Sequence, residues 1–322
     1  MSSITIPMKA NDHPNIRPLN VLRDLTAVAD LIELCFSSTM DHDGQRYLSD
    51  MRRASHDVRF LSWASHMAET ASMPLTGYVW EENGRIVGNA SLIPFRDHGK
   101  RVYLIANVAT HPEYRRRGIG RALTERAMNH ARARNGTAVW LHVREDNLAA
   151  IALYEGLGFQ EIARRTSWHA GSDRFFNGPA TDIAIAPRHS SFWPSQQDWL
   201  RRLYPDNLSW YHSWNLNALR PGFWNSLYLF VVDYQVKQWA AVQGEELLAT
   251  LSWMPQSGRT ESLYAAIAAG ADGEALTRLM IHVERALSHD ASLSLDFPGG
   301  EMTDAILAAG FIPRRTLLWM RA

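Results

Sequence analysis

The chain has 322 residues, room for two domains at the usual ~100–200 residues each, with 46% apolar and 20% charged side chains. Its 33 basic residues balance 33 acidic ones, which excludes a strongly charged nucleic-acid or anionic-membrane binder and predicts neither partner. No run approaches the ~20 apolar residues that cross a bilayer, Met1–Pro14 lacks a signal-peptide pattern, and the single Cys35 excludes an intramolecular disulfide, so a cytoplasmic protein is expected.

Residues 1–14 read as a loose tail. Ile16–Leu19 reads as a first strand. Leu25, Val28, Leu31, Ile32 and Cys35 then recur at helical spacing over Asp24–Phe36, with Cys35 a small core hydrophobe. A more polar helix follows over Gln45–Ser55. Thr76–Trp80, the Asn83-Gly84 pair and Ile86–Leu92 predict a hairpin, because Asn and Gly tolerate the positive φ of a tight turn. Arg101–Thr110 continues as strand, Gly118–Arg134 as helix, Thr137–Val143 as strand, and Asn147–Gly156 as a helix closed by Gly. Strand resumes at Phe159. A Gly, Pro, Ser and Asp-rich stretch over 171–190 predicts a linker.

Beyond it, 192–230 is dense in aromatics: Phe192, Trp193, Trp199, Tyr204, Trp210, Tyr211, Trp214, Phe223, Trp224 and Tyr228. They fit either a core or an acceptor pocket for an apolar or cationic amine. Gly158-Phe159 with Arg164-Arg165-Thr166 and Trp168 is echoed by Gly310-Phe311 with Arg314-Arg315-Thr316 and Trp319. The echo predicts two copies of one fold.

Arg115-Arg116-Arg117-Gly118-Ile119-Gly120 follows a strand and opens a helix. Glycines allow the backbone to turn tightly and approach a ligand. The helix N-terminus then offers N–H groups and the positive end of its dipole to an anion. Arginine forks add charge suited to phosphate. A Walker loop is excluded because Gly-Lys-Ser/Thr is absent, and a dinucleotide fingerprint because Leu123 stands where a third Gly belongs.

Val108-Ala109-Thr110-His111-Pro112-Glu113-Tyr114, the loop 115–120 and Arg121-Ala122-Leu123 resemble the core motif of the GNAT superfamily of N-acetyltransferases. Asn147, Ala150, Leu153-Tyr154 and Gly158-Phe159 resemble its second motif. Leu141–Phe159 is similar to ribosomal-protein and other N-terminal amine acetyltransferases. The resemblance covers about 15–168. It implies an α/β tandem GNAT fold, each half a mixed, mostly antiparallel sheet flanked by helices: a catalytic domain over 15–170 and a degenerate one over 191–322.

The resemblance further implies acetyl-CoA as cosubstrate and no metal. It assigns Val108, Ala109 and Thr110 to the pantetheine arm and thioester carbonyl, and Arg115, Arg116, Arg117, Gly118, Ile119 and Gly120 to the pyrophosphate. Asn147 would cap its helix and contact the arm. Tyr154 would hydrogen-bond to the departing thiolate or protonate it. Relatives carry a glutamate five residues before the asparagine; here it is His142, either a base, directly or through water, or a structural histidine. Glu145 and Glu113 are weaker candidates. A neutral amine must attack, which at pH 7 costs about 4.6 kcal/mol for a lysine-type amine and roughly 1 kcal/mol for an α-amine.

In the second half Ala269-Gly270-Ala271-Asp272-Gly273-Glu274 replaces the arginine loop, and Ile306 stands where Tyr154 does relative to Gly-Phe. That copy is expected to bind no cofactor. The expected activity is acetyl transfer to a small-molecule amine by direct attack. The alternatives are a protein N-terminal or lysine acceptor, or a non-catalytic acetyl-CoA sensor. A monomer or a homodimer is compatible with a tandem repeat.

Overall fold

In the computed structural model, which describes residues 13–40, 42–57, 59–60, 63, 72–171, 182–212, 214–231, 234–254, 260–287 and 292–322, one order of elements occurs twice. Most of the expected tail and residues 172–181 of the expected linker lie outside the described residues. The chain divides into a first unit, Met1–Ile162 with Trp319–Ala322, and a second, Ala163–Leu318. The division falls inside a strand rather than in the 171–190 stretch. Backbone pairing explains the difference, since residues 165–169 pair with 294–298 of the second unit, whereas Ala322 exchanges backbone hydrogen bonds with Val139 of the first.

The first unit begins with β1 (Ile16–Pro18), α1 (Val21–Phe36) and α2 (His42–Ala54). The Asn20 side chain accepts from the Leu22 N–H and starts α1. The apolar stripe of α1, Val21, Leu25, Val28, Ala29 and Ile32, packs with Leu48 and Met51 of α2 and with Leu75 and Val79. Strands β2 (Thr76–Glu82) and β3 (Arg85–Asp97) form the hairpin, with Asn83 and Gly84 at φ 51° and 76°. Antiparallel β4 (Lys100–Thr110) follows, then α3 (Ile119–Ala133), parallel β5 (Ala138–Arg144) and α4 (Leu148–Glu155). A Cβ at Gly88 would stand 2.7 Å from Ile119 Cγ2, so the missing side chain lets α3 lie close on the sheet. The unit is completed by Trp319–Ala322, where Val139 and Ala322 exchange two backbone hydrogen bonds.

Strand β6 (Gln160–Ala170) leads into the second unit, where its residues 165–169 pair with residues 294–298. That unit holds β7 (Ile183–Pro187), α5 (Trp193–Leu203) and α6 (Phe223–Val231). There follow β8 (Lys237–Gln243), β9 (Glu246–Met254), β10 (Thr260–Ile267) and α7 (Glu274–Ala286). The last elements are β11 (Ser292–Pro298), α8 (Thr303–Ala308) and β12 (Phe311–Arg321). Antiparallel β8-β9-β10, a helix and a parallel β11 reproduce β2-β3-β4, α3 and β5. The echo is physical: Gly158 and Gly310 are both left-handed, at φ 89° and 85°, and Phe159 and Phe311 are both buried.

Of the aromatic segment, Tyr204 and Trp210 are buried, whereas Phe223 and Trp224 are exposed. No helix among the described residues is long and apolar enough to cross a membrane.

Candidate active site

The site of the first unit begins where two strands part. Parallel pairing of β4 with β5 runs from Val102↔Ala138 to Ile105↔Leu141 and stops, although β4 continues to Thr110 and β5 to Arg144. On its other edge β4 still pairs with β3 through Ala109↔Asn89 and Thr110↔Gly88. Residues 106–110 therefore keep one strand edge without a β-partner among the described residues. A bulge shifts the register there, with Asn107 at φ 52°. Buried Asn89 donates from Nδ2 to the Asn107 carbonyl at 2.8 Å, and Asn107 Nδ2 donates to the Tyr47 hydroxyl at 2.9 Å. Burial pushes the Tyr47 phenol up to about 12, so it stays protonated. Val108, Ala109 and Thr110 sit just past this bulge.

After Thr110, a short 3-10 turn (Pro112–Tyr114) leads to the arginine loop. Gly118 is left-handed at φ 79° and precedes α3, and no side chain caps the helix N-terminus. A Cβ at Gly118 would meet nothing within 4 Å, so its glycine answers to conformation rather than space. Arg115 Nε donates to the Thr110 carbonyl at 3.3 Å. Exposed Arg116 is itself at φ 61°. The Arg117 guanidinium lies 4.8 Å from the Tyr114 ring centroid and 3.7 Å from Glu82. Ile119 is buried beneath the first turn, and Gly120 lies beside Thr110 and Leu153.

The second motif comes to the same place. Arg121 Nη1 in the first turn of α3 donates to the Gly156 carbonyl at 3.2 Å, tying the end of α4 to the loop. The Asn147 side chain accepts from the Ala150 N–H at 3.2 Å and caps α4. Tyr154 is buried, edge-on to Phe159, and burial pushes its phenol up to about 12. His142 is half-buried on β5, just beyond the last β4 pair, with its ring centroid 3.8 Å from that of Trp319. Arg321 lies over Trp140. Glu113 and Glu145 are exposed.

The sequence reading missed Tyr47, Asn89, Asn107 and Trp319. Only Trp319 left a signal, in the repeat. It also treated Cys35 as plain core, whereas Cys35 Sγ lies 3.3 Å from the Thr110 carbonyl. Burial pushes that thiol up, against the opposing pull of Arg115, which makes it a poor nucleophile. Among the described residues no cluster of His, Cys, Asp and Glu could hold a metal.

The model of the acetyltransferase (GNAT) family matches residues 30–159. The chain is 35% identical over 115 residues to the N-alpha-acetyltransferase RimI of Mycobacterium tuberculosis, covering 35% of this chain and 70% of that one. It is 45% identical over 67 residues to the [ribosomal protein bS18]-alanine N-acetyltransferase of Escherichia coli K12. That match spans 21% of this chain and only 45% of the relative's length. A GCN5-related N-acetyltransferase of Sphaerobacter thermophilus shares the fold, with TM-score 0.53, 13% identity and 96% of each chain covered. The chain belongs to the GNAT acetyltransferase family.

Proposed function

We propose that the first unit transfers an acetyl group from acetyl-CoA to a primary amine by direct attack, with a small-molecule amine as acceptor. The observation that carries the reading is the uncapped start of α3 behind left-handed Gly118, ringed by Arg115, Arg116 and Arg117, where β4 has parted from β5. These residues fit the cosubstrate. Bare N–H groups, the helix dipole and arginine forks suit a pyrophosphate. The open strand edge at Val108–Thr110 suits the amides of an extended arm.

Acetyl-CoA supplies the thioester. The N–H groups of the open edge are suited to donate to its carbonyl oxygen as negative charge develops there. His142 is the group proposed to take the amine proton. Tyr154 acts on the sulfur, and its environment limits how. Burial pushes its phenol up to about 12, which disfavours loss of its proton. Tyr154 therefore supports thiolate departure as a hydrogen-bond donor rather than by full proton transfer. That role needs no special pH, since the phenol is neutral throughout the physiological range.

A protein α-amine is the second reading. The likeness to the E. coli enzyme supports it, as does the low cost of deprotonating an α-amine, about 1 kcal/mol at pH 7. Calorimetric titration with acetyl-CoA tests the core of the proposal: one site per chain is expected, and no binding overturns it. Acetylation of a panel of small amines beside a peptide with N-terminal alanine then decides the acceptor.

A further inference from the structure

The second unit keeps a cavity at the position of the first unit's reaction centre. Pairing of β10 with β11 ends at Leu263↔Leu295, as that of β4 with β5 ends at Ile105↔Leu141. The next residue on the second strand is Asp296 in one unit and His142 in the other. The ring of Trp319 packs against His142, whereas Ser167 on β6 stands opposite Asp296. By register Ser167, one residue before the echoed Trp168, occupies the place of Trp319, and a cavity of about 290 Å³ lies there.

One face of the sheet forms its floor. Ser262 pairs with Ser294, and Asp296 with Ser167, so strand alternation turns these four side chains the same way. Aromatic rings, Trp214 and Tyr264 among them, form the walls. Beneath lies Arg165, only 3% exposed, with every nitrogen engaged. Its Nε donates to Asp296 Oδ1, Nη1 to the Leu203 carbonyl at 2.6 Å, and Nη2 to the Asp296 carbonyl at 2.9 Å. The buried guanidinium fixes the carboxylate. His212 stacks on Trp214 at 4.6 Å, and burial pushes its pKa down to about 4, so it stays neutral and adds no positive charge.

A carboxylate held by Arg165, three hydroxyl oxygens and aromatic faces converge on this cavity. An ammonium group matches that set: its N–H donors need oxygens, and its charge is favoured by π-faces. We infer that the second unit binds a small primary ammonium compound in this cavity, without CoA. This goes beyond the acetyl transfer proposed for the first unit and does not rest on it.

Calorimetric titration of the full chain with butylammonium chloride, beside butanol as its neutral isostere, tests the inference. Saturable binding of the ammonium is expected, at least tenfold tighter than butanol. Ser262→Leu fills the cavity without touching the Arg165–Asp296 pair and should abolish binding. Asp296→Asn should weaken it at least tenfold. His142→Ala should leave it unchanged, which separates this cavity from an acceptor site in the first unit. A retained cooperative melting transition reports that each variant is folded. No saturable binding, binding indifferent to Ser262→Leu, or equal binding of butanol overturns the inference.

Discussion

At the start of α3 the chain turns through left-handed Gly118 and leaves the helix N–H groups without a side-chain cap. At the start of α7, Gly273 keeps an ordinary φ of −78°, and the Asp272 carboxylate accepts from the Glu274 N–H at 2.8 Å. The two glycines serve different ends. A Cβ at Gly273 would stand 2.4 Å from Ala305 Cβ, so glycine there serves helix packing; at Gly118 there is open space and a backbone angle that other residues resist. The second unit departs from the first through its own carboxylate at the helix start and a changed backbone, while its core stays closed around Leu276, Leu279, Met280 and Val283. Fold and site are separable properties, and the comparison shows where the separation lies.

The largest test of that contrast is Gly118→Glu. It places a carboxylate at the anion position and a strained residue at positive φ, so acetyl-CoA affinity should fall by about 100-fold or more, read by calorimetry. Residual full-strength binding would move the site to the second unit. Next, Tyr154→Phe should lower kcat by about 10–100-fold, with the KM for acetyl-CoA little changed, because the lost hydrogen bond matters when the thiolate forms. Since the phenol titrates near 12, wild type should show no alkaline loss of kcat attributable to Tyr154 below about pH 10. His142→Ala should lower kcat/KM by about 10–100-fold, read with acetyl-CoA and amine varied in turn. Trp319→Ala should lower kcat by about tenfold while acetyl-CoA affinity stays within about twofold, since its ring packs against His142. The smallest effect is Asn147→Ala, which removes the cap on the Ala150 N–H and should cost about 1 kcal/mol, seen as a lowered melting temperature.

Much of this was legible in the sequence, for reasons that differ by residue. Asn83-Gly84 and the Gly118 loop are local: each demands a backbone angle that few residues tolerate, and each turn stands where its residues predict. The apolar spacing of α1 likewise foretold its buried face. What escaped depends on partners distant in sequence. Nothing near Asn107 announces that Asn89 and Tyr47 will brace a bulge, because those contacts join residues 18 and 60 positions away. Cys35 looked like core, since only the folded chain brings α1 under Thr110. The same holds for Trp319, readable as half of a repeat but not as the wall beside His142.

That wall has a consequence for biosynthesis. Domains generally form as they emerge from the ribosome, N-terminal part first. Here residues 163–318 must be synthesised before Trp319–Ala322 can reach β5. A nascent chain that has displayed the whole arginine loop still lacks the ring beside His142. On the proposed assignment of these residues, the first unit should thus pass through a stage in which it can grip the nucleotide end of acetyl-CoA before its proposed reaction centre is built, so that competence is acquired only when translation has delivered the second unit as well.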